Sequence, residues 1–247
     1  MEPILQVQGL TGGYRKKRPI IHDITFTVHP HEMVGLIGLN GAGKSTTIKH
    51  ILGLLQASNG SVRIHNQTLQ EMPEAYRASY TYVPESPLVY EDLTLWEHLE
   101  LTAMAYGLDR KTFEERVGPL MEEFNMKDKR DLFPQHMSKG MRQKMMIMNA
   151  FLVQPSLYII DEPFVGLDPI GIRSLLELMV KMKNTGAGIL MSSHILSTVE
   201  RYCDKFVVLH NGRIRAAGTI TEIQQQAGME GVPLDDVFYE LTKDQSV

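Results

Sequence analysis

The first thirty residues alternate between apolar and polar positions. Leu5 and Val7 are separated by a glutamine, and Ile24, Phe26 and Val28 repeat the same two-residue spacing. Successive side chains of a strand point to opposite faces, so this pattern predicts strands with one buried face. We interpret the N-terminal stretch as a small antiparallel sheet.

Further along the chain, short and mostly apolar runs replace this alternation. Residues 33–37, 157–160 and 188–192 each have the pattern of a buried strand. Between the last two, apolar residues recur at helical spacing from 172 to 179. Strand, helix and strand in this order predict a β-α-β unit, and therefore a parallel sheet.

Two glycine-containing signals interrupt the strands. Asn59-Gly60 indicates a turn ahead of a strand that includes Val62 and Ile64. Residues 210–213 read His-Asn-Gly-Arg between apolar runs, which is typical of a hairpin.

The section from about residue 93 to 150 has a different character. Its apolar residues recur at helical spacing, and prolines punctuate its borders. We interpret it as an inserted helical subdomain. Its methionines at intervals of four and three residues favour a flexible core stripe over a box for a partner or cofactor. These methionines are Met137, Met141, Met145 and Met148.

Composition narrows the classes of function. The 247 residues are 43% apolar, enough for one large core or two modest lobes. With 25 basic and 29 acidic residues, the formal net charge of -4 argues against a nucleic-acid partner. The single cysteine, Cys203, suits a reducing cytosol and is interpreted as core packing. No apolar run approaches the length of about eighteen residues that a membrane span needs, so work at a membrane requires a membrane partner.

A phosphate-binding loop lies between the run at 33–37 and a helical pattern. Residues 38–45 match G-x-x-x-x-G-K-[ST], in which glycines let backbone N–H groups face phosphate oxygens. We predict that Lys44 reaches the β- and γ-phosphates of ATP, that Ser45 binds Mg²⁺, and that Thr46 lies near the α-phosphate. The predicted nucleotide-binding residues here are Gly38, Leu39, Asn40, Gly41, Ala42, Gly43, Lys44, Ser45 and Thr46.

Two carboxylates follow the run at 157–160. Parallel sheets bind their ligands at the carboxyl ends of strands, which is where Asp161 and Glu162 are expected to lie. Asp161 is the candidate ligand of Mg²⁺, and Glu162 is the candidate catalytic residue that positions water for attack on the γ-phosphate. An ordinary acidic turn at a strand end is the alternative.

Several further motifs resemble, in order and spacing, those of the ATP-binding subunits of ABC transporters. Tyr14 corresponds to the aromatic residue that stacks on adenine, residues 166–168 to the loop after the second carboxylate motif, and His194 to the switch histidine at the γ-phosphate. The resemblance covers nearly the whole chain. It implies ATP hydrolysis with Glu162 and His194 as catalytic residues.

The most specific marker of this family is a signature, usually Leu-Ser-Gly-Gly-Gln. Here it reads Met-Ser-Lys-Gly-Met, so Lys139 and Met141 depart from the family pattern while Ser138 and Gly140 match it. A helix N-terminus at this motif provides donors for a γ-phosphate. In the family, that phosphate belongs to ATP bound by the other subunit. Lys139 is either a solvated charge or an additional phosphate contact.

Glu85 occupies a position where many members of the family carry a glutamine beside the Mg²⁺ site. A carboxylate also binds Mg²⁺, so Glu85 is a candidate metal ligand together with Ser45 and Asp161. It also adds a negative charge beside the phosphates. The resemblance implies that both this change and the one at Met141 are tolerated, as in related exporter ATPases, so neither is interpreted as inactivating the enzyme.

The predicted fold class is α/β. The resemblance implies a P-loop NTPase with a RecA-like parallel core, an N-terminal antiparallel β subdomain and an inserted α-helical subdomain. We predict a single domain over residues 1–247. Its nucleotide-binding core covers 1–86 and 153–218, its helical subdomain 87–152, and a short C-terminal extension 219–247.

The expected function is that of an ATP-hydrolysing subunit. Residues 35–40, 94–107 and 138–141 are similar to those of Ecs-type bacterial exporters, and residues 234–242 are similar to exporter tails. This resemblance implies a link to peptide or protein secretion, a polytopic membrane subunit as partner, and a second copy in an ATP-sandwich dimer. It places the protein in the cytoplasm, peripheral on the inner face of the membrane. The alternatives are a soluble ABC-type ATPase acting on ribosomes or DNA, and a small-molecule kinase, which fits the signature and His194 poorly.

Overall fold

The computed structural model describes residues 2–15 and 17–243. Met1, Lys16 and residues 244–247, which the predicted core and C-terminal extension include, lie outside the described residues. The strands are β1 (Leu5–Gly12), β2 (Ile21–Val28), β3 (Met33–Ile37), β4 (Asn59–Ile64), β5 (Tyr80–Val83), β6 (Leu157–Asp161), β7 (Gly188–Ser193), β8 (Lys205–His210) and β9 (Arg213–Gly218). The α-helices are α1 (Lys44–Ile51), α2 (Pro73–Ala78), α3 (Leu95–Ala105), α4 (Arg110–Glu123), α5 (Lys139–Val153), α6 (Pro169–Asn184), α7 (Leu196–Tyr202), α8 (Ile220–Ala227) and α9 (Leu234–Thr242).

Three strands form a small antiparallel sheet in the order β2-β1-β4. Leu5 pairs with Val28, and Val7 with Phe26, so the predicted alternation places these apolar residues on the buried face. The turn predicted at Asn59-Gly60 is wrong, because both residues already belong to β4. Gly60 has φ +82°, and a Cβ there would lie 2.4 Å from the backbone of β1, so its glycine permits close strand pairing.

The main sheet has the order β5-β6-β7-β3-β8-β9. β5, β6, β7, β3 and β8 run parallel, and β9 joins β8 as an antiparallel hairpin. Every residue of β3, β6 and β7 is buried, which explains their continuous apolar sequence. The predicted β-α-β unit is β6-α6-β7. Because β6, β7 and β3 run parallel, their carboxyl ends lie side by side at the same end of the sheet.

The helices α3, α4 and α5 follow β5 and precede β6, as the helical pattern indicates. Thr94 and Glu97 form a reciprocal capping box that begins α3, and Ser138 caps α5. Trp96 packs edge-on against Phe113 between α3 and α4. Met137, Met145 and Met148 are buried in the core, and Met141 packs against it from a partly buried position. These methionines line the core, as the sequence indicates.

The C-terminal helices α8 and α9 pack together, and α9 also contacts α7. The backbone N–H of Leu234 donates to Glu200 at 3.2 Å, which joins the start of α9 to α7. Cys203 at the end of α7 packs against the core, and burial raises the pKa of its thiol. Among the described residues, none of the helices combines the length and the hydropathy that crossing a bilayer requires. The boundaries predicted for the subdomains stay a prediction.

Candidate nucleotide-binding site

The predicted phosphate loop connects the end of β3 to the start of α1. Gly41 and Gly43 adopt φ +82° and +111°, values that side-chain-bearing residues rarely take. Gly38 lies so close to β8 that a Cβ would be 2.6 Å from the carbonyl oxygen of Leu209. The loop therefore turns tightly onto the N-terminus of α1, where free backbone N–H groups and the positive end of the helix favour an anion.

Lys44, the first residue of α1, is 6% exposed. Its Nζ donates to the carbonyl oxygen of Gly38 at 2.7 Å and lies 3.4 Å from Oε1 of Glu162. The cation is thus held in the loop beside a buried carboxylate. A buried charge needs such partners, and phosphate oxygens provide partners of the same kind.

Glu162 connects the cation to the predicted switch histidine. Its Oε2 lies 2.7 Å from Nδ1 of His194 and accepts the backbone N–H of His194 at 3.2 Å. Glu162 has φ +46°, and its own N–H donates to Oγ of Ser192 at 3.0 Å. A left-handed backbone at a non-glycine residue is strained and occurs often at functional sites.

Asp161 is buried at the end of β6. It lies on the metal side of the cleft, which we define by the predicted Mg²⁺ ligands Ser45, Glu85 and Asp161. Oγ of Ser45 lies 3.5 Å from Oδ1 of Asp161, and the hydroxyl of Ser192 donates to the same carboxylate oxygen. Glu85 lies exposed at the cleft. Burial, together with the negative charges of Asp161 and Glu85, raises the pKa of Tyr82. Oxygen donors and negative charge therefore meet on this side of the cleft.

The predicted adenine-stacking residue, Tyr14, is 58% exposed and lines the same cleft as the phosphate loop. Nζ of Lys49, on α1, donates to the Tyr14 hydroxyl at 3.0 Å and lies 5.1 Å from the centre of the ring. The ring is thus presented to solvent while its hydroxyl is tied to α1.

Most of the predicted residues line a single cleft of about 570 Å³. Ile20 joins them there, although the sequence did not single it out. Gly38, Ala42 and Asp161 are buried and do not line it. The predicted residues at the cleft are Tyr14, Leu39, Asn40, Gly41, Gly43, Lys44, Ser45, Thr46, Glu85, Glu162 and His194.

The signature residues are not brought to this cleft. Ser138 caps α5 by accepting the backbone N–H of Met141 at 3.2 Å, and the stem of Lys139 packs near Gly166. Gly140 lies against the same loop, since a Cβ there would be 2.5 Å from the carbonyl oxygen of Gly166. The signature therefore forms a separate helix N-terminus beside the loop that follows Glu162.

Besides Ile20, sequence reasoning missed two residues of the site. The hydroxyl of Ser192 contacts both Asp161 and Glu162, and Lys49 holds Tyr14. Ser192 stands at a strand end just before His194, which was an available signal. Lys49 carried no such signal, because a lysine on an amphipathic helix is ordinarily a solvated charge.

Comparison with known proteins agrees with this geometry. A family model described as ABC transporter matches residues 21–165. The chain belongs to the ABC transporter family. It is 56% identical over 243 residues to the ABC-type transporter ATP-binding protein EcsA of Bacillus subtilis (strain 168), with 98% of each chain covered.

The chain is also similar to other ABC proteins, in sequence and in structure. The chain is 30% identical to the lipopolysaccharide export system ATP-binding protein LptB of Haemophilus influenzae, over 95% of this chain and 98% of that one. A solved structure of an ATP binding subunit of an ABC transporter matches with a TM-score of 0.95 and 55% identity, covering 97% of this chain and 100% of that one. The predicted fold and family are confirmed. This ABC protein is an ATP-binding subunit that hydrolyses ATP to power transport.

Proposed function

We propose that this ABC subunit closes on ATP as a head-to-tail dimer and drives a separate polytopic membrane protein. We further propose that the complex is an Ecs-type exporter linked to peptide or protein secretion, with this subunit cytoplasmic and peripheral on the inner face of the membrane. The observation that carries the proposal is the separation of two half-sites. One contains the phosphate loop, Glu162 and His194, and the other contains the signature.

The separation has a physical consequence. The cleft of one chain contains a cation, two carboxylates and a histidine, but not Ser138, Lys139, Gly140 or Met141. The N-terminus of α5 favours an anion, and its cap leaves backbone donors of the first turn available. A second copy related by a two-fold axis supplies this terminus to the γ-phosphate in the first copy's cleft. Both clefts are completed in the same step.

The residues on the metal side fit Mg²⁺. This ion prefers oxygen ligands and usually binds through one or two carboxylates, phosphates and water. Ser45 and Asp161 have oxygens 3.5 Å apart, and Glu85 adds a carboxylate at the cleft. Within the part of the chain that the structure describes, no group of three or more His, Cys, Asp or Glu side chains has metal-binding geometry. The ion therefore fits here only together with phosphate oxygens. When bound, Mg²⁺ neutralises charge on the β- and γ-phosphates.

The catalytic roles follow from the same contacts. Glu162 is held by its backbone and by two neighbouring groups, so its carboxylate is oriented to accept a hydrogen bond from the attacking water. Lys44 contributes positive charge where the transferring phosphoryl group becomes negative. His194 faces the same space and is positioned to contact the γ-phosphate. Tyr14, which also lines the cleft, stacks on adenine.

A groove beside α3 supports a protein partner. The α3 groove has a volume of about 210 Å³. Its large apolar and aromatic lining residues are Tyr82, Leu88, Tyr90, Leu101, Tyr106 and Met146, and its polar lining residues are Thr81, His98, Thr102 and Asn149. Leu88 and Tyr90 are 72% and 65% exposed, and nearby Met104 is 76% exposed. Large apolar side chains rarely cluster in solvent without a partner. A short amphipathic helix at the cytoplasmic face of the membrane subunit is the proposed occupant, because the apolar face of such a helix fills a groove lined by large apolar side chains.

The proposal is tested by purifying a tagged Glu162→Gln variant from its native cells, in mild detergent with Mg-ATP. Copurifying proteins are then identified by mass spectrometry. We expect a polytopic membrane protein in stoichiometric amount. Further proteins that copurify with it identify the class of cargo. Ribosomal or DNA-processing proteins in place of a membrane protein would overturn the transporter role and favour a soluble ATPase.

A further inference from the structure

One polar side chain joins the signature helix to the two segments that carry the predicted carboxylates. Gln143 lies on α5, five residues after Ser138, and is fully buried. Its Nε2 lies 3.4 Å from the carbonyl oxygen of Pro84 and 3.4 Å from that of Pro163. Both neighbours are acceptors, so the amide nitrogen, which has two hydrogens to donate, must be the atom that faces them.

The two carbonyls belong to functional segments that are remote in sequence. The peptide bond of the Pro84 carbonyl leads directly to Glu85, and Pro163 immediately follows Glu162. Gln143 itself belongs to the helix whose N-terminus carries Ser138. A single amide therefore contacts the segments of Glu85 and Glu162 and moves with the signature.

Two further contacts tie this end of α5 to the segment that follows Glu162. Nζ of Lys144 donates to Oδ2 of Asp168 at 3.0 Å, and Gly140 lies against the backbone of Gly166. Both partners belong to the loop after Glu162. The bond to Pro84 extends this linkage across to Glu85.

The hydrogen-bond geometry of Gln143 leaves room for movement. Both bonds are longer than the usual 2.7 to 3.2 Å of an N–H···O hydrogen bond. Its Oε1 is buried and has no hydrogen-bond partner. Buried polar atoms without partners are uncommon and costly, and an apolar side chain of this length would fill the space without that cost. Gln143 is thus poorly explained as packing alone.

We propose that Gln143 is a positioning residue, through which displacement of the signature end of α5 is transmitted to the segments bearing Glu85 and Glu162. A small shift of α5 shortens one hydrogen bond of the Gln143 amide and lengthens the other, so the positions of both carbonyl groups change together. Nucleotide contact with the signature then changes the geometry of both carboxylates. This inference rests on the proposed ATP-sandwich function.

The test replaces Gln143 by methionine, which has similar length but no donor. In the otherwise native chain we expect kcat to fall roughly 5- to 30-fold, which is within the range of typical coupling between two sites. We expect the affinity for ATP to change less than about 2-fold. In the Glu162→Gln background, we expect ATP-driven dimerisation, measured by light scattering, to require more ATP. Ile147→Val is the matched control, since Ile147 is equally buried on α5 and the change costs stability alone.

The outcomes are distinct. Failure of Glu162→Gln itself to dimerise with ATP would count against the proposed sandwich function. Normal dimerisation of the parent, together with unchanged kcat and dimerisation for Gln143→Met, would overturn the role of Gln143 alone. Equal losses of kcat in Gln143→Met and Ile147→Val would overturn it too, because they would reflect stability. If Gln143→Met does not fold, Gln143→Asn, which keeps a shortened donor, decides by the same measurements.

Discussion

Nδ1 of His194 lies 2.7 Å from Oε2 of Glu162, while the other oxygen of that carboxylate faces Lys44 at 3.4 Å. The contact depends on pairing between β6 and β7, in which Asp161 is opposite Ser192. The residues just beyond this pair are Glu162 and Ser193, and the left-handed backbone of Glu162 turns its side chain toward His194. The predicted catalytic residues are therefore adjacent because two strand ends coincide.

Replacing Glu162 by Gln tests its proposed catalytic role. We expect ATP turnover to fall by at least about 100-fold, since an amide is a poor acceptor for a proton or a strong hydrogen bond from water. ATP binding is expected to persist, so the variant accumulates as an ATP-bound dimer. Phosphate release and sedimentation with Mg-ATP measure the two effects.

The matched control is Glu230→Gln, which removes one exposed carboxylate far along the chain at no cost to the cleft. It should hydrolyse ATP at the native rate. Native hydrolysis by Glu162→Gln would remove Glu162 from the mechanism.

Ser192→Ala tests a residue that only the structure identifies. Its hydroxyl contacts Asp161 and the backbone of Glu162, so we expect a loss of about 1 to 3 kcal/mol in the free energy of unfolding, together with a higher Mg²⁺ requirement. Titration of activity with Mg²⁺ and chemical denaturation measure these changes. Ser193→Ala is the control, since Ser193 is equally buried but accepts the N–H of Ile195 instead. An identical Mg²⁺ requirement in the two variants would contradict the role of Ser192.

Tyr14→Ala is expected to raise the KM for ATP by roughly 5- to 100-fold, as stacking on one base contributes about 1 to 3 kcal/mol. Tyr14→Phe keeps the ring and loses only the bond from Lys49, so its KM should change by less than about 5-fold. Lys49→Met should match Tyr14→Phe, and combining the two should add little. Equal KM values for Tyr14→Ala and the native chain would exclude stacking.

His50 makes stability depend on pH. Burial lowers the pKa of this imidazole below 6.5, and its Nε2 has no hydrogen-bond partner. Below pH 6.5 the unfolded chain gains a proton that the folded chain does not, so the free energy of unfolding decreases as the pH falls from about 7 toward the folded pKa. His50→Gln should abolish this part of the decrease.

Thermal unfolding between pH 7.5 and 5.5 measures it, with exposed His136→Gln as the control. The slope against pH should flatten only in His50→Gln. Parallel slopes in the native chain and His50→Gln would contradict the prediction.

Charges in and beside the α3 groove, at Leu101 and Met104 respectively, test the proposed docking surface. Leu101→Asp and Met104→Asp place carboxylates on exposed apolar positions of α3, so we expect copurification of the membrane subunit to fall at least about 10-fold, while ATP affinity stays native. Leu54→Asp is the control, because Leu54 is 67% exposed and lies outside the groove. Equal recovery of the membrane subunit with all three variants would place docking elsewhere.

Sequence alone located the two motifs whose chemistry is local. Glycines at 41 and 43 were needed for positive φ, and Lys44 follows them directly at a helix start, so the phosphate loop was readable from spacing. Asp161 and Glu162 were readable because an apolar strand ends there. The prediction of a turn at Asn59-Gly60 was wrong, because close pairing with β1 requires a glycine at the same position where a turn would require one.

The sequence by itself determined the residue types that bind phosphate and the alternation that separates sheets from helices, because these depend on neighbours within a few positions. Tertiary structure alone decided which distant residues meet. The strand order β6-β7-β3 departs from chain order, and it brings Ser192 to Asp161 and Lys44 to Glu162. Likewise, Gln143 reaches Pro84 across 59 positions. No local pattern encodes such pairs, because their proximity comes from how the strands and helices pack.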